Sequence, residues 1–173
     1  LSAFLKSAVG GVFLAMHTDP EGRHILAGMK IDKFVLVPDS NYDSIRAMRA
    51  FIENNKLMVN RQKPEIIKSS VNAIDIIYFG ILPRDNPRIA YERYQPLIDY
   101  LSRQTGENIE LRLEKNYKDV VNSLGQGKTS FALLGALTYL DAAQRYSASP
   151  IVRSKTARGE LFYRSVIVTD IDG

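Results

Sequence analysis

The stretch Leu124–Gly135, LGQGKTSFALLG, carries the most suggestive chemistry in this chain. Gly127-Lys128-Thr129 matches the end of a loop that wraps nucleotide phosphates in backbone N–H groups and one lysine. The first glycine of such a loop would stand at 122, where this chain has Asn122. The order of elements also fails. A phosphate loop leaves a strand and opens a helix, so that the helix N-terminus faces the phosphate. Here DVVNSL reads as helix and TSFALL as strand. GQGKTS is therefore expected to be a helix-to-strand turn, with Gly125 and Gly127 as stop and turn residues.

Other reactive sets are thinner still. His17 and His24 flank a Thr-Asp-Pro turn and read as surface histidines rather than a two-histidine metal site. Asp170-Ile171-Asp172-Gly173 matches only the first residues of a calcium loop. Glu110 and Glu114 lack the spacing of a glycosidase pair, and no Ser–His–Asp set is visible. There is no cysteine, which excludes disulfides, thiolate zinc sites and a cysteine nucleophile. The expectation is a non-enzyme, with no metal ligands and no cofactor.

A chain of 173 residues, 45% hydrophobic and 24% charged, can bury one ordinary core. No apolar run reaches the roughly 18 residues of a membrane helix; the nearest, Ala8–Met16, is too short and lacks the flanks of a signal peptide. The net charge of +4 is spread along the chain, apart from Arg61, Lys63 and Lys68, and no aromatic residues interleave with it. Nucleic acid is not an expected partner. The lack of cysteine also suits an oxidising compartment.

Hydrophobic spacing then supplies the scaffold. Ser2–Met16 reads as a helix on Phe4, Leu5, Ala8, Val12 and Ala15, weakened by Gly10-Gly11. Asp19-Pro20-Glu21 starts a second, ending at Gly28. Lys33–Val37 is a short strand or extended loop. A third helix, capped by Ser40 or Asn41, would bury Ile45, Met48 and Ile52. Asn54–Ser70 loses its period and reads as a connector. Beyond it, strands are expected over Ala73–Leu82, Asn108–Leu113, Thr129–Leu134, Pro150–Lys155 and Leu161–Thr169. Helices over Arg88–Gln104, Tyr117–Leu124 and Ala136–Tyr146 alternate with them. Gly106 caps the first of these and Asn116 starts the second. This alternation predicts an α/β fold with a parallel or mixed sheet, whose ligands bind beyond the carboxyl ends of the strands.

The ordered blocks YFGILP, YQPLIDYLSRQTG, IELRLEKNY, VVNSLGQGK, FALLGALTYLDAA and LFYRSVIV resemble the first lobe of the phosphonate-binding periplasmic proteins of ABC importers. The earlier stretch from LKSAVGGVFLAM to VPDSNYDSIR resembles the closing segment of the same family, so the two ends stand in inverted order. The resemblance implies a closing helical segment over residues 1–54, a linker over 55–71 and a first lobe over 72–173. It implies a mostly parallel sheet of about five strands flanked by helices, one lobe of a two-lobed binding protein. Tandem binding domains, a permuted lobe and a domain-swapped homodimer all accommodate the inversion. The implied function is non-catalytic recognition of a small oxyanion such as a phosphonate or phosphate, in the periplasm or another extracytoplasmic space. The implied partner is a membrane permease, or a receptor if the module serves signalling.

The resemblance also carries residues. Lys115-Asn116-Tyr117 matches the family's Asp-Tyr, so Tyr117 is implied as a ligand contact and Asn116 stands in for the aspartate. Tyr163 matches the family's Tyr-x-Ser in LFYRS, and Gly135 matches a glycine that admits the ligand to the backbone. Arg84, at the end of the first lobe strand, reads as a solvated loop arginine.

Overall fold

The computed structural model describes residues 3–36, 38–54, 76–82 and 86–155. The chain opens with helix α1, Ala3–Ala15, and a 3-10 turn over Met16–Thr18. Helix α2, Pro20–Gly28, starts as its sequence predicts: Asp19 accepts a hydrogen bond from the Gly22 N–H at 2.7 Å, and proline fills the first helical position. Strand β1 is short, Lys33–Val35. A second 3-10 turn, Asp39–Tyr42, leads into helix α3, Asp43–Asn54.

The second half alternates strand and helix: β2 Ile77–Ile81, α4 Pro87–Thr105, β3 Ile109–Leu113, α5 Tyr117–Gly125, β4 Phe131–Ala132, α6 Ala136–Tyr146 and β5 Arg153–Lys155. Asn86 caps α4, and Gly106 ends it in the left-handed conformation, φ 72°, where a side chain would strain the backbone.

The sheet is parallel, in the order β3-β2-β4. Tyr78 pairs with Glu110 on one side of β2, and Phe79 with Phe131 on the other. The first strand thus lies in the middle. Right-handed crossovers in opposite directions put α4 on one face and α5 on the other. On the α4 face one continuous core joins Val9 and Phe13 of α1, Leu26 of α2 and Phe34 of β1 to Phe79, Ile98 and Leu101. The N-terminal segment therefore packs on the sheet of its own chain. A smaller cluster of Val120, Val121 and Ala142 lies between α5 and α6.

Two expectations change. Among the described residues the sheet has three parallel strands rather than five. β5 pairs instead with β1, antiparallel, Phe34 opposite Ser154, in a separate ladder. Leu161–Thr169 lies outside the described residues. The second change concerns α3. Its expected stripe is not buried: Ile45 is half-buried, Met48 is exposed, and the Ile52 side chain lies outside the description. Polar groups hold this helix in place. Arg46 pairs with Asp39 at 2.5 Å and Asp43 at 2.6 Å, and Arg49 with Asp141 of α6 at 3.3 Å.

The same anchor includes Tyr139 of α6, whose hydroxyl donates to Asp39 while its ring packs on Tyr42 at 4.4 Å. Burial, reinforced by the bond to Asp39, pushes the Tyr139 hydroxyl from 10.0 up to about 12. The bond from Tyr139, and behind it Arg46, holds the Asp39 carboxyl below its usual range. A raised tyrosine contributes stability that is complete below its unfolded value and lost as pH rises through the folded one. Denaturant midpoints should therefore fall between pH 10.0 and about 12, and fall less steeply in Tyr139→Phe. Parallel declines in the two proteins would show that this hydroxyl is not linked to folding.

Candidate functional site

A parallel sheet offers ligands its carboxyl edge, where strands stop and helices begin. The crossing point lies at β2, with β3 and β4 leaving it on opposite sides. Backbone bonds extend the ladder just past the strands: Glu114 N–H to the Ile81 carbonyl at 2.9 Å, and Leu133 N–H to the Gly80 carbonyl at 3.0 Å. The chain then turns into α5 after β3 and into α6 after β4. Both helix N-termini thus open on the same edge, roughly two strand spacings, about 10 Å, apart.

Asn116 begins α5. Its side-chain oxygen accepts from the Asp119 N–H at 2.9 Å, and its amide donates to the Asp119 carboxylate at 2.8 Å. The first bond satisfies one of the N–H groups a helix start leaves open, and the second ties the two side chains together. Asp119, half-buried in the first turn, was not singled out from sequence, although its place three residues after the cap is the signal for it. It gives the start of α5 a negative charge of its own. Tyr117 is 61% exposed at this edge.

Gly135 begins α6 at φ −73°, ψ 163°, extended backbone that any residue adopts. No cap covers the first turn of α6, and no acidic residue lies in it. The Gly135 carbonyl accepts from the Tyr139 N–H at 2.8 Å. Leu133 and Leu137 flank this start and are both exposed.

The fold thus places Asn116, Tyr117 and Gly135 on one edge, the first two on the opposite side of β2 from the third. Tyr163 and Arg84 lie outside the described residues. Behind the edge, Arg112 lies over the Tyr78 ring at 5.5 Å and reaches Glu114 at 3.1 Å, so the buried Glu114 carboxylate is matched by a cation. Neither of the two main concavities, about 600 and 530 Å³, includes Asn116, Tyr117 or Gly135. The edge is an open surface rather than an enclosed pocket.

The GQGKTS turn is as expected. Gln126 and Gly127 close α5, and Gly127 takes the left-handed conformation, φ 69°. The N–H groups of Gln126, Gly127, Lys128, Thr129 and Ser130 are all bonded to backbone carbonyls. None is left to hold a phosphate. Among the described residues, no group of three or more His, Asp or Glu side chains could hold a metal ion, and no helix is long and apolar enough to cross a membrane.

No solved structure matches the chain. The family model of the ABC transporter phosphonate periplasmic substrate-binding protein matches residues 79–173, from the middle of β2 onward. The match takes in the rest of β2, all of β3 and β4, and both helices that open on the carboxyl edge. It brings with it a substrate-binding role in phosphonate import, an extracytoplasmic location, a small-molecule ligand and a permease partner. The chain belongs to the phosphonate-binding periplasmic substrate-binding proteins of ABC transporters.

Proposed function

We propose that this chain supplies one wall of a two-lobed oxyanion site, with the tetrahedral anion held at the start of α6. The carrying observation is the pair of helix N-termini on one carboxyl edge, unequal in charge. Free N–H groups and the helix dipole attract anions at such ends. At α5 that attraction is already met by Asp119, whereas α6 has a glycine cap and no acidic residue in its first turn. In this reading α6 holds the anion through its first N–H groups, and Gly135 lets the oxyanion approach them. Asn116 sets the start of α5, and Tyr117 offers its hydroxyl and ring to the ligand from there. Tyr163 joins them from the segment after β5. A phosphonate suits such a wall, since its oxygens need donors and its organic tail needs an apolar flank, here Leu133 and Leu137.

The wider organisation follows the same reading: residues 1–54 a closing segment, 55–71 a linker, and 72–173 the first lobe. A second lobe would complete the donors, and closure around the ligand would be the state a permease recognises. With one wall, binding should be weak. Titrating the chain with methylphosphonate, phosphate and sulfate while following backbone amides by NMR tests this. The expected result is millimolar-range shifts centred on Ala136–Thr138, smaller at Lys118 and Asp119, and diminished by Tyr117→Ala. Absent shifts at α6, or micromolar calorimetric affinity of this single wall, would overturn it.

A further inference from the structure

The start of α6 is tied to the N-terminal half of the chain through one side chain. Tyr139 is the first buried residue of this helix; Ala136, Leu137 and Thr138 before it are half-buried or exposed. Its N–H donates to the Gly135 carbonyl at 2.8 Å, which closes the first turn around the N–H groups of Ala136, Leu137 and Thr138. Its hydroxyl donates to Asp39 Oδ1, 100 positions earlier, and its ring lies against Tyr42 at 4.4 Å. Both partners belong to the 3-10 turn Asp39–Tyr42. That turn is fixed in its own right to α3: Arg46 bonds the Asp39 carboxylate at 2.5 Å, the Asp39 carbonyl at 3.0 Å and Asp43 at 2.6 Å. The first residues of α6 give their turn little hold of their own. Gly135 has no side chain, no side-chain cap bonds the helix start, and Leu137 is 57% exposed.

We propose that Asp39 is a positioning residue for the anion site at the start of α6, acting through Tyr139. The inference rests on the anion being held there. Donors serve a small tetrahedral anion when they are fixed to within about half an ångström, and the packing and bonds behind them do the fixing. The free N–H groups of a first turn move together when the residue that closes the turn moves. Here that residue is Tyr139, and Asp39 is its polar anchor. Arg46 keeps the carboxylate from turning away: it takes Oδ2 and leaves Oδ1 to the tyrosine. Tyr42 stops the ring from swinging to the other side. The N-terminal segment thereby takes part in binding through a helix that belongs to the lobe.

Asp39→Ala, Tyr139→Phe and the double variant test this in the full chain. Two references accompany them: Asp39→Asn, which keeps an acceptor for the hydroxyl, and Glu92→Gln, which breaks the exposed Arg88–Glu92 pair of α4. Without ligand, amide exchange at Tyr139 and Leu140 should quicken at least about fivefold in Asp39→Ala and in Tyr139→Phe, with Val120 and Val121 of α5 unchanged. With methylphosphonate, the NMR shifts of Ala136–Thr138 should need at least about threefold more ligand to saturate in both. The double variant should lose no more than either single one, since the two side chains act as a pair. Asp39→Asn should fall nearer the parent than Asp39→Ala does, and Glu92→Gln should stay within about twofold of it. A parent chain without shifts at Ala136–Thr138 would sink the anion site and this role of Asp39 with it. Shifts in the parent, with exchange and saturation unaltered in Asp39→Ala, would sink the role of Asp39 alone. Additive losses in the double variant, or equal quickening in α5, would reduce Asp39 to general stability and overturn the proposal as well.

Discussion

Replacing Phe13 with alanine should cost about 3–5 kcal/mol of folding stability. Phe13 is 5% exposed on α1, edge-on to Phe34 of β1 at 4.7 Å and tilted on Phe79 of β2 at 6.4 Å. It is where the N-terminal segment meets the sheet. Truncation removes the transfer energy of a benzyl group and leaves a cavity beside the Phe34 and Phe79 rings. Against the roughly 5–15 kcal/mol of an ordinary domain, that is a large fraction. For a chain of this size each kcal/mol lowers the melting temperature by about 2–4 °C, so a fall on the order of 10 °C is expected. Phe4→Ala, at an 80% exposed position on the same helix, should change stability by less than about 0.5 kcal/mol. If Phe13→Ala melts with the parent while Phe79→Ala does not, α1 is no part of the sheet's core.

Gly22→Ala should cost about 3 kcal/mol, against the usual preference for alanine in helices. A Cβ at Gly22 would sit 2.3 Å from the Met16 carbonyl oxygen and 2.9 Å from its carbon. These are backbone atoms of the 3-10 turn that enters α2, and Met16 itself is fully buried, so the turn has little room to yield. Gly11→Ala supplies the opposite sign: nothing lies within 4 Å of its Cβ position, and the exchange should gain up to about 1 kcal/mol. Paired urea titrations check both. Equal effects at the two glycines would mean that α2 does not enter against Met16 as described.

Signals that live within a few residues of one another were legible in the sequence. Asp19-Pro20 starting α2, Asn116 starting α5, Gly106 ending α4 and the Ala136–Tyr146 span of α6 all follow from local capping and spacing. Partners far along the chain were not. The Pro150–Lys155 pattern announces a strand, but nothing in it says that Arg153–Lys155 will pair with Lys33–Val35 rather than extend the parallel sheet. Spacing in α3 marks an amphipathic helix without revealing that Arg46 and Arg49, not Met48, face the neighbouring groups. The site divides the same way. Asn116 and Tyr117 could be placed at a helix start, but the difference in charge between α5 and α6 emerges only when both starts share an edge.

The β1–β5 ladder has a consequence for the order in which the protein acquires its shape. Phe34 and its partner Ser154 stand 154 − 34 = 120 positions apart. Contacts this distant in sequence form slowly, because the entropy of closing the intervening loop is lost before the contact is made. The units β2–α4–β3 and α5–α6 are connected locally. They are expected to assemble first, and the ladder to lock the two ends of the described chain afterwards.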